Sequence, residues 1–227
     1  MSLLYFQNVT KNYGNSLILD NITFEIEEGE FVSIVGKSGV GKTTLLKMLI
    51  KEETPTKGRV FFHNQDIAKM SPGEISLLRR KIGMVFQDFK LLPDKNTFEN
   101  VAFAMEVAGY SEREVKRDVP EVLKLVNLES KANNFPCQLS AGEKQRAVIA
   151  RALIQRPEVI LADEPSGNLD PINTWEIVRL LDKINQLGTA VLLSTHDKEI
   201  VNILEKRVIS LEGGKLIRDE KEGKYLI

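Results

Sequence analysis

The chain has 227 residues, 42% hydrophobic and 28% charged, and its 31 Lys+Arg against 32 Asp+Glu leave a net charge of -1. This is ordinary globular composition, which excludes disordered, collagenous and fibrous classes and places a binder held mainly by nucleic-acid phosphates behind other functions. One cysteine, Cys137, excludes an intramolecular disulfide and fits a reducing compartment.

No stretch approaches the ~18 apolar residues of a membrane span. Residues 1–14 lack a basic segment followed by an apolar one, so they read as a strand and not as a secretory signal. The expectation is a cytosolic chain with no direct membrane insertion, meeting a membrane only through a partner.

Alternating apolar positions predict strands over residues 3–9 and 18–26. Glu28-Gly29-Glu30 is a turn before the apolar strand 31–35, and residues 54–58 turn into a strand over 59–62. Ser71-Pro72-Gly73-Glu74 opens a helix, with Ser as cap, Pro at the first helical position and Glu closing the box. A buried strand follows over 82–86. Helical spacing predicts helices over 97–108, from Ser111 onward (buried face Val115, Val119, Val122, Leu123 and Val126), and over 140–156. The rest alternates: strand 158–162, helix 171–187, strand 190–194, helix 198–204, strand 207–211. Strands separated by helices imply a parallel sheet that binds ligands at its carboxyl ends.

Gly36-Lys37-Ser38-Gly39-Val40-Gly41-Lys42-Thr43 fits G-x-x-x-x-G-K-[ST], placed between strand 31–35 and a helix opening at Thr44. Glycines let the backbone curl so that N–H groups point at phosphate oxygens, and the helix presents its positive end to the same anion. Lys42 adds a charge near the outer phosphates, and the Thr43 hydroxyl suits Mg²⁺. Chance gives this string at ~4 × 10⁻⁵ per position, before the strand and helix are demanded.

Residues 159–164, Val-Ile-Leu-Ala-Asp-Glu, form an apolar strand ending in two carboxylates, a costly arrangement unless they are used. Asp163 suits a Mg²⁺ ligand through water, and Glu164 a general base toward a water in line with the terminal phosphate. Gln87 ends strand 82–86, where it could touch Mg²⁺ or that water. His196 follows strand 190–194. His63 reads as a surface turn residue, Trp175 as packing, and Arg79-Arg80-Lys81 as a solvated helix end.

Leu139-Ser140-Ala141-Gly142-Glu143 caps the helix that begins at 140, and its small residues leave an anion-binding helix end. The string resembles LSGGQ, the signature of ATP-binding-cassette (ABC) ATPases. By that resemblance Tyr13 stacks on adenine, residues 36–43 with Thr44 form the phosphate loop, and Gln87 is the Q-loop residue. Ser140, Gly142 and Glu143 form the signature, Ser166-Gly167-Asn168-Leu169-Asp170 the D-loop, and His196 the switch histidine. Ala141 departs from the commonest pattern, which has Gly there.

The resemblance implies an α/β fold: a phosphate-loop NTPase core with a mostly parallel sheet, an antiparallel β subdomain and an inserted helical subdomain. It implies one domain over 1–227, with 88–156 as the helical part and 1–87 with 157–227 as the core. It also implies two copies packed head to tail with ATP and Mg²⁺ between them. Residues 86–93, FQDFKLLP, resemble the cell-division branch of the family, which works with an integral membrane partner and binds no nucleic acid. The short stretch after Leu211 fits that branch. ADEPSGNLD is shared with lipoprotein-release and macrolide-export ATPases, so a transporter subunit is the alternative.

Overall fold

The computed structural model describes residues 2–221 and 223; Met1, Glu222 and residues 224–227 of the expected 1–227 domain lie outside them. The chain runs β1 (Ser2–Tyr13), β2 (Ser16–Glu27), β3 (Phe31–Val35), α1 (Lys42–Leu49), β4 (Lys57–Phe62), β5 (Gln65–Asp66), α2 (Pro72–Lys81) and β6 (Ile82–Val85). Three helices follow: α3 (Thr97–Ala108), α4 (Glu112–Leu125) and α5 (Ala141–Leu153). Then come β7 (Val159–Asp163), α6 (Pro171–Gln186), β8 (Ala190–Thr195), α7 (Lys198–Leu204), β9 (Arg207–Glu212) and β10 (Lys215–Glu220).

Two sheets result. One is antiparallel, in the order β2-β1-β4-β5. The other runs β10-β9-β3-β8-β7-β6, parallel except for the antiparallel β10 edge. The period of two along the central strands sorts their side chains between two cores. Val32, Ile34, Val159, Leu161, Ala190 and Leu192 face α1 and the antiparallel sheet, where Leu45, Leu46 and Leu49 meet Leu3, Phe6 and Ile22. Phe31, Ile160, Ala162, Val191 and Leu193 face the opposite way, toward α6 and the helices α3–α5. Each fully buried Val, Leu or Ile among them contributes roughly 1.5–3 kcal/mol. The result is a stiff frame that holds the carboxyl ends of β3, β7 and β8 side by side.

The expected helix starts are realised as reciprocal capping boxes at Ser71/Glu74, Ser111/Glu114 and Ser140/Glu143, with a further one at Asn96/Glu99. Some bounds differ from the sequence expectation. α5 ends at Leu153 and not at 156, because Arg156 precedes Pro157 and takes φ +53, outside the helical region. Val122 is only half-buried on α4. β5 and β10 are additional strands. His63 and Asn64 (φ +43 and +63) turn β4 into β5, and Gly213 and Gly214 (φ +54 and +78) turn β9 into β10. His63 is therefore a turn residue, but its ring also contacts the Glu158 carboxylate at the head of β7. Trp175 packs half-buried against the second core, and Arg79-Arg80-Lys81 form the last turn of α2. Among the described residues no helix is long and apolar enough to cross a membrane.

Candidate functional site

β3 delivers the chain into the loop 36–43 at the carboxyl edge of the parallel sheet. Two of its glycines have no substitute. A Cβ on Gly36 (φ +156) would lie 2.6 Å from the Leu211 carbonyl oxygen and 2.8 Å from Val40 Cγ1. One on Gly41 (φ +107), the residue capping α1, would lie 2.5 Å from Leu19 Cδ2. The antiparallel sheet thus presses on the loop from outside and fixes its curl. Lys42 is buried in the first turn of α1; its ammonium donates to the carbonyls of Gly36 at 2.8 Å and Lys37 at 3.3 Å and lies 3.3 Å from Glu164 Oε1. Lys37, Ser38 and Gly39 are exposed along the outside of the loop, and Val40 and Thr44 are half-buried.

Asp163 and Glu164 arrive on β7, between β6 and β8. Asp163 is buried, and its Oδ1 accepts from Thr43 Oγ1 at 3.0 Å and from Ser194 Oγ at 2.6 Å. Glu164 leaves the strand with φ +45, a left-handed conformation that a non-glycine residue adopts at a cost of order 1 kcal/mol. Its backbone N–H donates to the Ser194 carbonyl at 3.0 Å, which turns the side chain out of the sheet and between Lys42 and His196. His196, at the end of β8, places Nδ1 3.0 Å from Glu164 Oε2 and is 60% exposed, so its ring stands at the mouth of the site. A cleft of about 270 Å³ lined by Glu164, Ser166, Gly167, Trp175 and His196 opens beside it.

Gln87 follows β6 by two residues. Its carbonyl accepts from Asn168 Nδ2 at 3.4 Å, and its side-chain amide packs on Gly167, within the turn that Glu164 begins. Tyr13 is 46% exposed at the end of β1. The Lys11 ammonium sits 4.7 Å from its ring centroid while donating to Glu53 Oε2 at 2.6 Å and to the Thr54 carbonyl at 2.8 Å. Burial raises the Tyr13 phenol above its ordinary pKa, with the Glu53 carboxylate adding to the shift, and the hydrogen bond from Lys11 holds the Glu53 carboxyl below its own. With one ring face covered by a cation, the other is left for a flat partner.

Ser140, Gly142, Glu143 and Asp170 form a second cluster. Ser140 is exposed, its Oγ accepts from the Glu143 N–H at 3.2 Å, and its own N–H donates to Glu143 Oε2 at 2.8 Å. Asp170 caps α6 by accepting from the Asn173 N–H at 3.0 Å. A Cβ on buried Gly142 would lie 1.9 Å from Asn173 Oδ1, so the first turns of α5 and α6 are packed together within one chain. The structure therefore brings the phosphate loop, Asp163, Glu164, Gln87 and His196 to one sheet end and groups the signature residues separately.

The family model described as ABC transporter matches residues 19–167. The chain belongs to the ABC transporter family. It is an ATPase of that family. It is 50% identical over 224 residues to the cell division ATP-binding protein FtsE of Bacillus subtilis, covering 98% of both chains. It is 42% identical over 215 residues to the FtsE of Escherichia coli K12, covering 94% of this chain and 97% of that one. The fold superposes on the dimeric ATP-binding cassette MJ0796 in a post-hydrolysis state bound to ADP and Pi, with a TM-score of 0.86 and 38% identity over 98% of this chain and 100% of that one. Against cbiO1 of Clostridium perfringens the TM-score is 0.89 at 32% identity, covering 97% and 89%.

Two contributions to this ABC site escape sequence reasoning. Ser194 holds both Asp163 and the Glu164 backbone. Its only signal is a hydroxyl two residues before His196, on a strand that is otherwise apolar up to it. Lys11 and Glu53 brace Tyr13 across 42 residues of sequence, a pairing that no local pattern encodes.

Proposed function

We propose that this chain is the ATP-hydrolysing subunit of an FtsE–FtsX-like membrane complex, in which ATP-driven dimerisation transmits a signal through the membrane partner to cell-wall hydrolases during division. The observation that carries the reading is the placement of Glu164 between Lys42 and His196 at the mouth of a phosphate loop. Near-full-length similarity to FtsE proteins supports the cell-division branch. In this reading the chain sits on the cytoplasmic face of the plasma membrane through its partner, with residues 88–156 as the helical subdomain on the core 1–87 and 157–227.

Two copies pack head to tail. The phosphate loop of one and Ser140 and Gly142 of the other grip the same triphosphate, so its terminal charge lies between the positive ends of α1 and α5. Tyr13 offers its free face to adenine, and Asp170 fixes the D-loop at the seam. Glu164 takes a proton from the water attacking the γ-phosphorus, the bond to the bridging oxygen breaks, and ADP leaves with the electron pair. His196 orients Glu164 and the terminal phosphoryl group. The residues fit Mg²⁺: Thr43 and Asp163 converge as hydroxyl and carboxylate at 3.0 Å, and Gln87, at the same sheet end, would add an amide oxygen. Such sparse oxygen ligation suits an ion that keeps waters and takes phosphate oxygens, and Mg²⁺ would supply charge neutralisation there.

Phe89, Leu91 and Leu92, half-buried after Gln87, are proposed to receive a cytoplasmic helix of the partner. Phe89 and Leu91 also pack partly on the second core, which favours the alternative that they join helices to sheet. In a folded, ATP-binding Leu91→Glu variant, loss of partner capture supports docking and intact capture overturns it. The branch itself is tested by identifying the membrane protein that co-purifies with the tagged chain. An FtsX-like protein supports the reading, and a solute or lipoprotein permease replaces it with a transporter subunit.

A further inference from the structure

α5 carries the signature at its first turn and Arg151 eleven residues beyond Ser140, about 16 Å along the same helix. The Arg151 guanidinium is spent on main-chain carbonyls: Nη1 donates to Lys90 O at 2.7 Å and Nη2 to Phe89 O at 3.2 Å. These carbonyls belong to a tight bend that contains Gln87. Within it Lys90 takes φ +47 and lays its ammonium 3.6 Å from the Phe86 ring centroid. On the other side Asn168 Nδ2 holds the Gln87 carbonyl at 3.4 Å. The bend 86–90 is thus anchored on one side to the D-loop and on the other to the helix that bears the signature.

A planar guanidinium can span two successive carbonyls, whereas a lysine ammonium is a single point donor on a flexible stem. Charge-assisted bonds of this kind are also stronger than neutral ones. Lys90 holds a left-handed φ in this bend, and the fork is the contact that ties its carbonyl and that of Phe89 to α5, so removing the fork loosens the bend on that side.

We propose that Arg151 is a positioning residue for hydrolysis: it fixes the bend 86–90 so that Gln87 faces the nucleotide site, and it makes the signature helix and that bend move as one body. The proposal rests on the reading that Gln87 serves ATP turnover. A twin's terminal phosphate engaged by Ser140 then reaches Gln87 of the same chain through one rigid helix.

The test is a double-mutant cycle on the full-length chain, read by steady-state ATP hydrolysis, equilibrium binding of a fluorescent ATP analogue and thermal unfolding. Arg151→Gln is expected to lower kcat by about tenfold or more while the dissociation constant stays within about threefold, since the phosphate loop is untouched. Arg151→Lys restores little of the loss. On a Gln87→Ala background, adding Arg151→Gln changes kcat by less than about twofold, because both changes act on one group. Lys90→Pro, at an exposed position whose φ proline cannot adopt, breaks the bend from its other end and reproduces the kcat loss with the Arg151 side chain intact; if Arg151→Gln does not fold, Arg151→Lys takes its place in the cycle. Independent multiplication of the Gln87 and Arg151 effects overturns the proposal, as do parallel losses of binding, Tm and kcat or wild-type kcat in Lys90→Pro. Wild-type turnover in Gln87→Ala alone overturns the underlying role of Gln87, and the proposal with it.

Discussion

The carboxylate of Glu164 meets the His196 ring at 3.0 Å, with its second oxygen 3.3 Å from the Lys42 ammonium. One carboxylate is therefore steered by a cation at the floor of the site and an imidazole at its mouth. If it is the base, Glu164→Gln keeps the shape and removes the proton acceptor. ATP binding is expected to persist while turnover falls by about 10²–10⁴-fold. Light scattering with ATP and Mg²⁺ should show a trapped dimer; a monomer counts against the two-copy site.

His196→Ala removes the exposed partner and leaves the buried one. The expected outcome is near-normal nucleotide affinity with kcat reduced by at least about 10²-fold in single-turnover hydrolysis. Wild-type turnover refutes the assigned role.

Lys42→Ala deletes a buried ammonium that bonds two loop carbonyls. Hydrogen bonds to charged groups are worth about 1.5–3 kcal/mol, so affinity for ATP should drop by roughly 10–100-fold in calorimetric titration. A change below about threefold would place the triphosphate away from this loop.

Ser194→Ala tests a residue fully buried behind the carboxylates. Losing its bond to Asp163 costs about 1–3 kcal/mol of stability by denaturant titration. It should also raise the Mg²⁺ concentration for half-maximal hydrolysis, since Asp163 then keeps only the Thr43 donor of the two hydroxyls. An unshifted Mg²⁺ titration means that Ser194 serves the fold alone.

Glu143 carries the pH dependence of the signature cap. The Ser140 N–H, followed by Lys131, holds its carboxyl below the ordinary value of 4.5. A folded value below the unfolded one means that the stabilisation is complete above 4.5 and is lost as pH falls through the folded value. Glu143→Gln keeps the capping box without the charge. The Tm gap between wild type and variant should therefore narrow on acidification, whereas a constant gap rejects the assignment.

Most of the frame was legible because its signals are local. The apolar run 31–35, the glycines after it and the serine caps each dictate conformation within a few residues, and β3, α3 and α7 have the expected bounds. β10 carries no clear strand period although Gly213-Gly214 is a hairpin signal, because Lys215–Glu220 is a polar edge strand with half-buried Leu216 but exposed Ile217. β5 has only two residues, too few for any period. At the site the residues proposed to carry chemistry sit in recognisable strings. Those that hold them pair across the chain: Ser194 with Asp163 31 positions away, Lys11 with Glu53 42 away, and Arg151 with the Lys90 and Phe89 carbonyls 61 and 62 away, relations that only the folded chain expresses.

Gly142 has no room for a methyl group on account of Asn173 in its own chain, and Asp170 keeps that carboxamide from swinging aside. A defect in a Gly142→Ala protein consequently reports self-obstruction before it reports anything about a neighbouring molecule. Trimming Asn173 to alanine first is the control that such an experiment requires.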